Sequence, residues 1–330
     1  MIESLQIKNF KSIRDLVMPC RKLNILLGEP NSGKSNILEA LALKSQSAFD
    51  NYLNPNIFRY KSVSDLFYDF NIGNPIEVLT DGAQSSFAYS ILPDQSFENL
   101  FTFSLDHKVS SQSNTPIKVS HEGKVVQPGS QGKTNVRYYE FRRLVKFVSS
   151  YLPHLSVPNG ENLPGLLLAH TELKKLVSEF FQSKGLNLTL KPVENEIAVS
   201  KFVDGEIYSY PYSTISETLQ RVVFYMMAIK SNQNAVLLFD EPEANTFPPY
   251  TKYIAERIAL DETNQFFIST HNPYLLMSLI EKSTSDQVSV GITVMKNYQT
   301  EINILNENQI ARLLDLNADV FFNFPQILGQ

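Results

Sequence analysis

An α/β fold built on a parallel core sheet is predicted by three features of this chain. Apolar runs at residues 23–27, 235–239, 265–269 and 288–295 read as buried strands. Helical patterns separate the last three, the alternation expected of βαβ units. A glycine-bounded turn, Gly28-Glu29-Pro30-Asn31-Ser32-Gly33-Lys34-Ser35, joins the first run directly to a helical pattern over residues 37–43.

Taken in order, residues 3–10 alternate through Leu5 and Ile7 like a half-buried strand, and residues 21–27 form the next. Residues 44–75 are polar and aromatic, with Pro55 and Pro75, and Ser64-Asp65-Leu66-Phe67 opens a short helix. Between 76 and 128, short β-like runs are separated by turn residues, the pattern of an antiparallel meander. Residues 109–133, rich in Ser, Gln, Asn and Gly, predict an exposed, mobile hairpin region. Residues 138–183 read as helical, broken near Pro153, Pro158 and Pro164. A strand pair follows at 187–190 and 196–199, then a long amphipathic helix over 213–230. No internal repeat is present, and no sustained heptads occur between the glycine turn and residue 235, which excludes a long coiled-coil arm.

The bulk numbers narrow the function classes. At 330 residues and 43% hydrophobic content the chain can bury a large core. One cysteine, Cys20, excludes an internal disulfide and an all-cysteine zinc site, and five scattered histidines form no metal-ligand constellation. No apolar run is long enough to span a bilayer, and the first residues enter a strand pattern without a leader-like core, so a soluble, cytoplasmic protein is expected, with no membrane partner. The net charge of −5 disfavours nucleic-acid binding by the whole surface but leaves room for a local basic groove. The densest basic stretch, Arg137, Arg142, Arg143 and Lys146, is interleaved with aromatics. It reads as a solvated helix face or, alternatively, as a DNA contact.

The chemistry lies at strand ends. G-x-x-x-x-G-K-S between a strand and a helix is the phosphate-binding P-loop. Gly28 and Gly33 permit the tight turn that aims consecutive N–H groups inward, and the helix N-terminus adds partial positive charge. Lys34 is expected to reach the β- and γ-phosphates, and the Ser35 hydroxyl to ligate Mg²⁺. The strand over 235–239 ends in Asp240-Glu241-Pro242-Glu243. Such an acidic strand end is costly to bury without a cation, which assigns Asp240 to the Mg²⁺ shell and Glu241 to the role of general base toward the attacking water. A further strand ends in Ser269-Thr270-His271-Asn272, placing His271 at the carboxyl edge of the sheet, where ligands bind in open α/β sheets.

The order Asn9-Phe10-Lys11-Ser12, then Gly28 to Asn36, then Leu237-Leu238-Phe239-Asp240-Glu241-Pro242-Glu243, then Ser269-Thr270-His271-Asn272-Pro273 resembles the ABC-type ATPase heads of the RecF/SMC-like branch, among the AAA-family ATPases related to overcoming-lysogenisation-defect proteins. The resemblance covers residues 1–45 and 205–280 closely and the intervening insert in outline. It implies ATP and Mg²⁺ as ligands, Asp240 as the Walker B metal residue, Glu241 as catalytic base and His271 as switch histidine. It places Lys11 near the phosphates and makes Ala244-Asn245-Thr246 a D-loop that crosses to a partner subunit. The Q-loop glutamine is open, with Gln84 a candidate by position.

The family's signature motif departs from its usual form. The equivalent stretch is Tyr212-Ser213-Thr214-Ile215-Ser216-Glu217-Thr218-Leu219-Gln220-Arg221. Ser216 is expected to cap the following helix and to donate to a γ-phosphate in trans. Glu217 stands where a glycine usually allows close backbone approach, and a carboxylate there repels a triphosphate unless it points away. Arg221 either offsets Glu217 or reaches the nucleotide.

The expected architecture is therefore one ABC-type ATPase domain over 1–330. A P-loop NTPase core would be built from 1–80 and 213–330, with an inserted antiparallel β subdomain and helical lid over 81–212. The function implied is a nucleotide-gated homodimer that binds and slowly hydrolyses ATP, in repair, chromosome handling or phage defence, with DNA as a candidate partner. The alternative is an ATP-binding regulatory or scaffold subunit that holds a separate effector protein such as a nuclease. A small-molecule kinase is disfavoured by the tandem switch motifs.

Overall fold

The computed structural model describes residues 1–45, 48–81, 83–90, 100–107, 115–129 and 135–329. Residues 109–114 and 130–133 of the hairpin region expected over 109–133 lie outside them.

The strands in chain order are β1 (Ser4–Phe10), β2 (Ile13–Pro19), β3 (Leu23–Gly28), β4 (Ile76–Thr80), β5 (Ala83–Ser90), β6 (Leu100–His107), β7 (Ile117–Ser120), β8 (Val125–Gln127) and β9 (Val136–Tyr139). They continue as β10 (Asn187–Lys191), β11 (Glu196–Val203), β12 (Glu206–Pro211), β13 (Val236–Asp240), β14 (Gln265–Ser269), β15 (Val288–Lys296) and β16 (Gln299–Ile304). The helices are α1 (Lys34–Ala42), α2 (Leu163–Ala169), α3 (Thr171–Gln182), α4 (Glu217–Lys230), α5 (Pro248–Ala259), α6 (Pro273–Glu281), α7 (Glu307–Leu316) and α8 (Phe324–Leu328).

The core sheet runs β16-β15-β3-β14-β13-β9. From β15 to β9 neighbouring strands are parallel, and β16 pairs antiparallel at one edge. Every residue of β3 is buried, as a central strand covered on both faces requires. The loops after β3, β13 and β14 therefore open at one carboxyl edge, where the three sequence motifs meet.

The second sheet is antiparallel, in the order β2-β1-β4-β5-β6-β7-β8. The inserted antiparallel subdomain is thus completed by the first two strands of the chain, and the division into a 1–80 core and an 81–212 insert does not follow the sheets. The alternating burial of β1, with Leu5, Ile7 and Phe10 inward, suits a sheet with one covered face. That face lies over α1. Ile37, Leu38 and Leu41 share one apolar cluster with Leu5, Ile7 and Phe10 of this sheet and with Leu26, Leu238 and Phe267 of the core sheet. Covered on both sides, α1 is buried at seven of its nine residues. A second cluster on the opposite side of the core sheet contains α4, α5 and α6, and α2 and α3 close over α4.

The segment read as helical over 138–183 begins differently. Residues 136–139 are β9, paired in parallel with β13 (Phe239 opposite Tyr139), and helix starts only at Leu163. The basic stretch accordingly forms no helix face. Arg137 lies on β9 and donates to the Asn232 side chain, and Arg143 donates from Nε to the Ser213 carbonyl at 2.8 Å. Tyr138 and Tyr139 are buried. No helix among the described residues is long and apolar enough to cross a membrane.

Candidate nucleotide site

The turn between β3 and α1 is shaped by backbone geometry that favours glycine. Gly28 has φ 148° and Gly33 φ 97°. A Cβ at Gly28 would run into the Thr293 and Ser32 hydroxyls, and one at Gly33 into the Thr300 side chain. The loop is braced from β15: Ser32 Oγ and Thr293 Oγ1 are hydrogen-bonded at 2.5 Å, and the Thr293 hydroxyl donates to the Leu27 carbonyl at 2.9 Å. The first helical hydrogen bond of α1 runs from Ile37 N–H to the Gly33 carbonyl at 3.1 Å, so the amides of the first turn, at Lys34, Ser35 and Asn36, precede it and have no intrahelical partner. This is the arrangement that receives an anion at a helix start.

Glu29, Pro30 and Asn31 form the exposed crest, with Asn31 at φ 62°. Lys34 is buried, and its Nζ donates to the Gly28 and Glu29 carbonyls at 3.0 Å each. Burial lowers the Lys34 pKa, against the opposing pull of Glu241 and Asp240. A buried ammonium held only by neutral carbonyls, with helix-start amides beside it, fits a phosphate group. It opens on a cleft of about 420 Å³ lined by Pro30, Asn31, Gly33, Lys34, Ser35 and Asn36 on one side and by Glu241 and His271 on the other.

Two further lining residues were not singled out by their spacing. Ser12, from the turn between β1 and β2, accepts from Asn36 Nδ2 at 2.7 Å and pairs with Thr300 Oγ1 at 2.7 Å. Arg59 enters from the irregular segment after α1. Glu39, buried on α1, pairs with Arg59 Nη2 at 2.7 Å and also with Lys11. Lys11, expected near the phosphates, has its ammonium engaged by Glu39 with its side chain 11% exposed, and does not line the cleft itself. Gln84 lies on the antiparallel sheet, donating to Glu77 at 3.1 Å, and is also outside the lining.

At the carboxyl edge of β13, Asp240 accepts a hydrogen bond from the Ser269 hydroxyl of β14. Glu241 has φ 46°, a conformation unusual for a side-chain-bearing residue, and its N–H is held by Ser269, with the Oγ at 3.1 Å. The strained turn aims the Glu241 carboxylate at the cleft, where Oε1 lies 3.4 Å from His271 Nε2. Burial and the Lys34 charge lower the His271 pKa, opposed by Glu241 and Asp240, which favours a neutral imidazole. Ser35, in the cleft lining, and Asp240, at the end of β13, carry oxygen donors of the hard type that Mg²⁺ takes. Among the described residues no cluster of three or more His, Cys, Asp or Glu makes an all-protein metal site, so such an ion would rely on phosphate and water for its remaining ligands.

Glu243 was quoted in the motif without a role. It is 5% exposed, receives the Thr270 hydroxyl on Oε1 at 2.5 Å, and is pushed up to about 7, chiefly by burial. Ala244, Asn245 and Thr246 complete the turn, with Asn245 exposed at φ 56°.

The signature-like segment lies apart from this cleft. Ser216 occupies the N-cap of α4, but its side chain makes no capping bond, contrary to expectation, and is exposed. Glu217 is paired within its own helix: Arg221 Nη2 lies 3.1 Å from its Oε1, and the guanidinium stacks over Phe141 with 4.6 Å to the ring centroid. Arg221 is buried there and does not line the cleft of its own chain.

Comparison with known proteins places this geometry. An SMC head bound to the C-terminal winged-helix domain of ScpA is similar in fold, with a TM-score of 0.53 at 17% identity, covering 94% of this chain and 99% of that one. A second SMC head with an extended coiled coil, in complex with the C-terminal domain of ScpA derived from Pyrococcus furiosus, gives 0.52 at 14% identity, covering 95% and 98%. A protein of Methanocaldococcus jannaschii, MJECL10, is 37% identical over 112 residues, 30% of this chain and 50% of that protein, so the chain spans about half the length of this relative. Residues 23–278 match the sequence model of the family described as "AAA domain, putative AbiEii toxin, Type IV TA system". That match runs over most of the chain, which belongs to this AAA-domain ATPase family and carries an SMC-like ATPase head fold.

Proposed function

We propose that this chain binds ATP with Mg²⁺ in the cleft and hydrolyses it, with Glu241 as the base. The observation that carries the reading is the Glu241–His271 pair, 3.4 Å apart, facing the buried Lys34 cradle across one cleft. Lys34 and the first amides of α1 hold the β- and γ-phosphates, and Arg59 adds a second positive group to the cleft lining. Ser35 and Asp240 would hold Mg²⁺, which when bound would neutralise negative charge on the phosphates. Glu241 accepts a proton from the water that attacks the γ-phosphate. The neutral His271 ring orients that water or donates to the γ-phosphate.

The reading includes a second copy of the chain. In that arrangement Ser216 and the Ala244–Thr246 turn of one chain close over the triphosphate of the other, and hydrolysis reopens the pair. The test is ATP turnover with and without DNA, tracked alongside mass in solution. A DNA-linked output predicts faster turnover when DNA is added.

A second reading is favoured by the Glu217–Arg221 pair, which occupies the position where a glycine would approach a trans phosphate. On it the chain binds ATP, seldom turns it over, and holds a separate effector protein. The SMC heads of similar fold were captured with ScpA, and the family description names a toxin–antitoxin system; both suit an output shared with another protein.

A further inference from the structure

We infer that Glu243 is a positioning residue for His271, fixing the switch from behind through the backbone on either side of it. This rests on the reading of Glu241 and His271 as the hydrolytic pair. The Glu243 carboxyl group is buried between the β13 turn and the end of β14. Its Oε1 accepts from Thr270 Oγ1 at 2.5 Å, and the His271 backbone N–H faces the same carboxyl group. The Thr270 hydroxyl in turn accepts from Asn272 N–H at 2.9 Å, and Thr270 N–H donates to the Leu26 carbonyl of β3 at 3.1 Å. Asn272 then caps α6, its side chain accepting from Tyr274 N–H at 2.8 Å and Leu275 N–H at 3.2 Å. His271 is thereby flanked by Thr270, whose hydroxyl donates to Glu243, and by Asn272, whose N–H donates to that same Thr270 hydroxyl.

The cost of this arrangement argues that it is not incidental. Oε2 of Glu243 is buried without a hydrogen-bond partner. A buried polar atom left unmade is destabilising, and an apolar side chain would remove the penalty. What an apolar side chain cannot do is accept from Thr270 and face the His271 amide. The same turn also meets α4, where the Thr218 hydroxyl donates to the Asn245 carbonyl at 3.4 Å. Glu243 therefore joins the segment that would meet a second copy to the residue that faces the water.

Glu243→Ala and Glu243→Gln test this, with Thr270→Val as a second probe of the same contact. Two quantities are read: ATP turnover, split into kcat and KM, and amide hydrogen exchange of the peptide over 269–276 in nucleotide-free protein. Glu243→Ala is expected to lower kcat about 10- to 100-fold with KM nearly unchanged, as loss of positioning does. It should also speed exchange at residues 270–272 about 10-fold, the effect of one lost hydrogen bond. Glu243→Gln, which keeps an acceptor oxygen, should restore both. Thr270→Val should reproduce the Ala phenotype, and the double variant should add little to either single one. Wild-type exchange and wild-type kcat in Glu243→Ala would overturn the inference, as would a loss that Gln does not rescue. Should the Ala protein fail to fold, Thr270→Val carries the same two readouts with the same expected and contrary results. The exchange measurement needs no nucleotide. Absence of turnover in the wild-type protein would therefore count against the ATPase reading, while unchanged exchange in the variants would count against Glu243.

Discussion

Glu39 holds Arg59 at the mouth of the nucleotide cleft: the buried carboxylate on α1 lies 2.7 Å from the guanidinium of a residue otherwise largely exposed. The helix that presents the phosphate loop thus also holds a second positive group in the lining of the cleft that contains Lys34. Burial of Glu39 is made tolerable by its two cationic partners, Arg59 and Lys11.

Removing the guanidinium with Arg59→Ala is expected to weaken ATP binding by about 1.5–3 kcal/mol, the range for a hydrogen bond to a charged group. ATP affinity by calorimetry checks it. Glu39→Gln should weaken binding in the same direction while also lowering the melting temperature, because it leaves Lys11 buried without its counter-charge.

Lys34→Ala is expected to lower ATP affinity at least about 10- to 100-fold, since it removes the buried ammonium facing the phosphates. The loop should survive, because Gly28, Gly33 and the Ser32–Thr293 bond shape it independently of Lys34. A fluorescent nucleotide analogue reads the affinity, and an unchanged value would remove the phosphate-loop assignment.

The phosphate loop, the acidic strand end and the strand before His271 were legible in the sequence because each is a local pattern: an apolar run with its functional residues at the next few positions. The residues that were not legible owe their places to distant partners. Arg59 sits in an irregular segment and is aimed by Glu39, 20 positions earlier on a different element. Residues 136–139, Val-Arg-Tyr-Tyr, carry too few positions for a period to show, and only pairing with β13 makes them a strand. The alternation of β1 announced a strand but not its sheet, since period gives the covered face and not the neighbour. Lys11 was placed by resemblance, and its capture by Glu39 is a tertiary contact that no local pattern reports.

Glu217→Gly would supply the glycine that the signature position lacks. In this structure Glu217 is tied to Arg221, so the change removes an i,i+4 pair and a residue of better helix propensity. A loss of about 1 kcal/mol in stability is expected, without stronger ATP-dependent association. Melting temperature and the ATP-dependent dimer constant, measured together, check this; tighter association would return the segment to a trans-phosphate role.

Glu243 predicts a pH dependence of stability with a definite sign. Its pKa in the folded protein is about 7, raised above the ordinary carboxylate value by burial. Between about 4.5 and 7 the folded chain therefore holds a proton that the unfolded chain has released. Its contribution to stability is greatest below that window and is lost as pH rises through it, by up to about 3 kcal/mol. Glu243→Gln, with no charge to bury, should lose less stability than wild type between pH 5 and pH 8 in urea unfolding. Parallel losses in the two proteins would show that Glu243 ionises in the folded state as it does in the unfolded one.

Single-turnover ATP hydrolysis by Glu241→Gln, beside wild type, tests whether Glu241 takes the proton from the water that attacks the γ-phosphate. The variant, loaded with ATP and Mg²⁺ to the same occupancy, is expected to cleave ATP at least about 100-fold more slowly, the lower end of what a positioned base contributes. Equal rates at equal occupancy would contradict it.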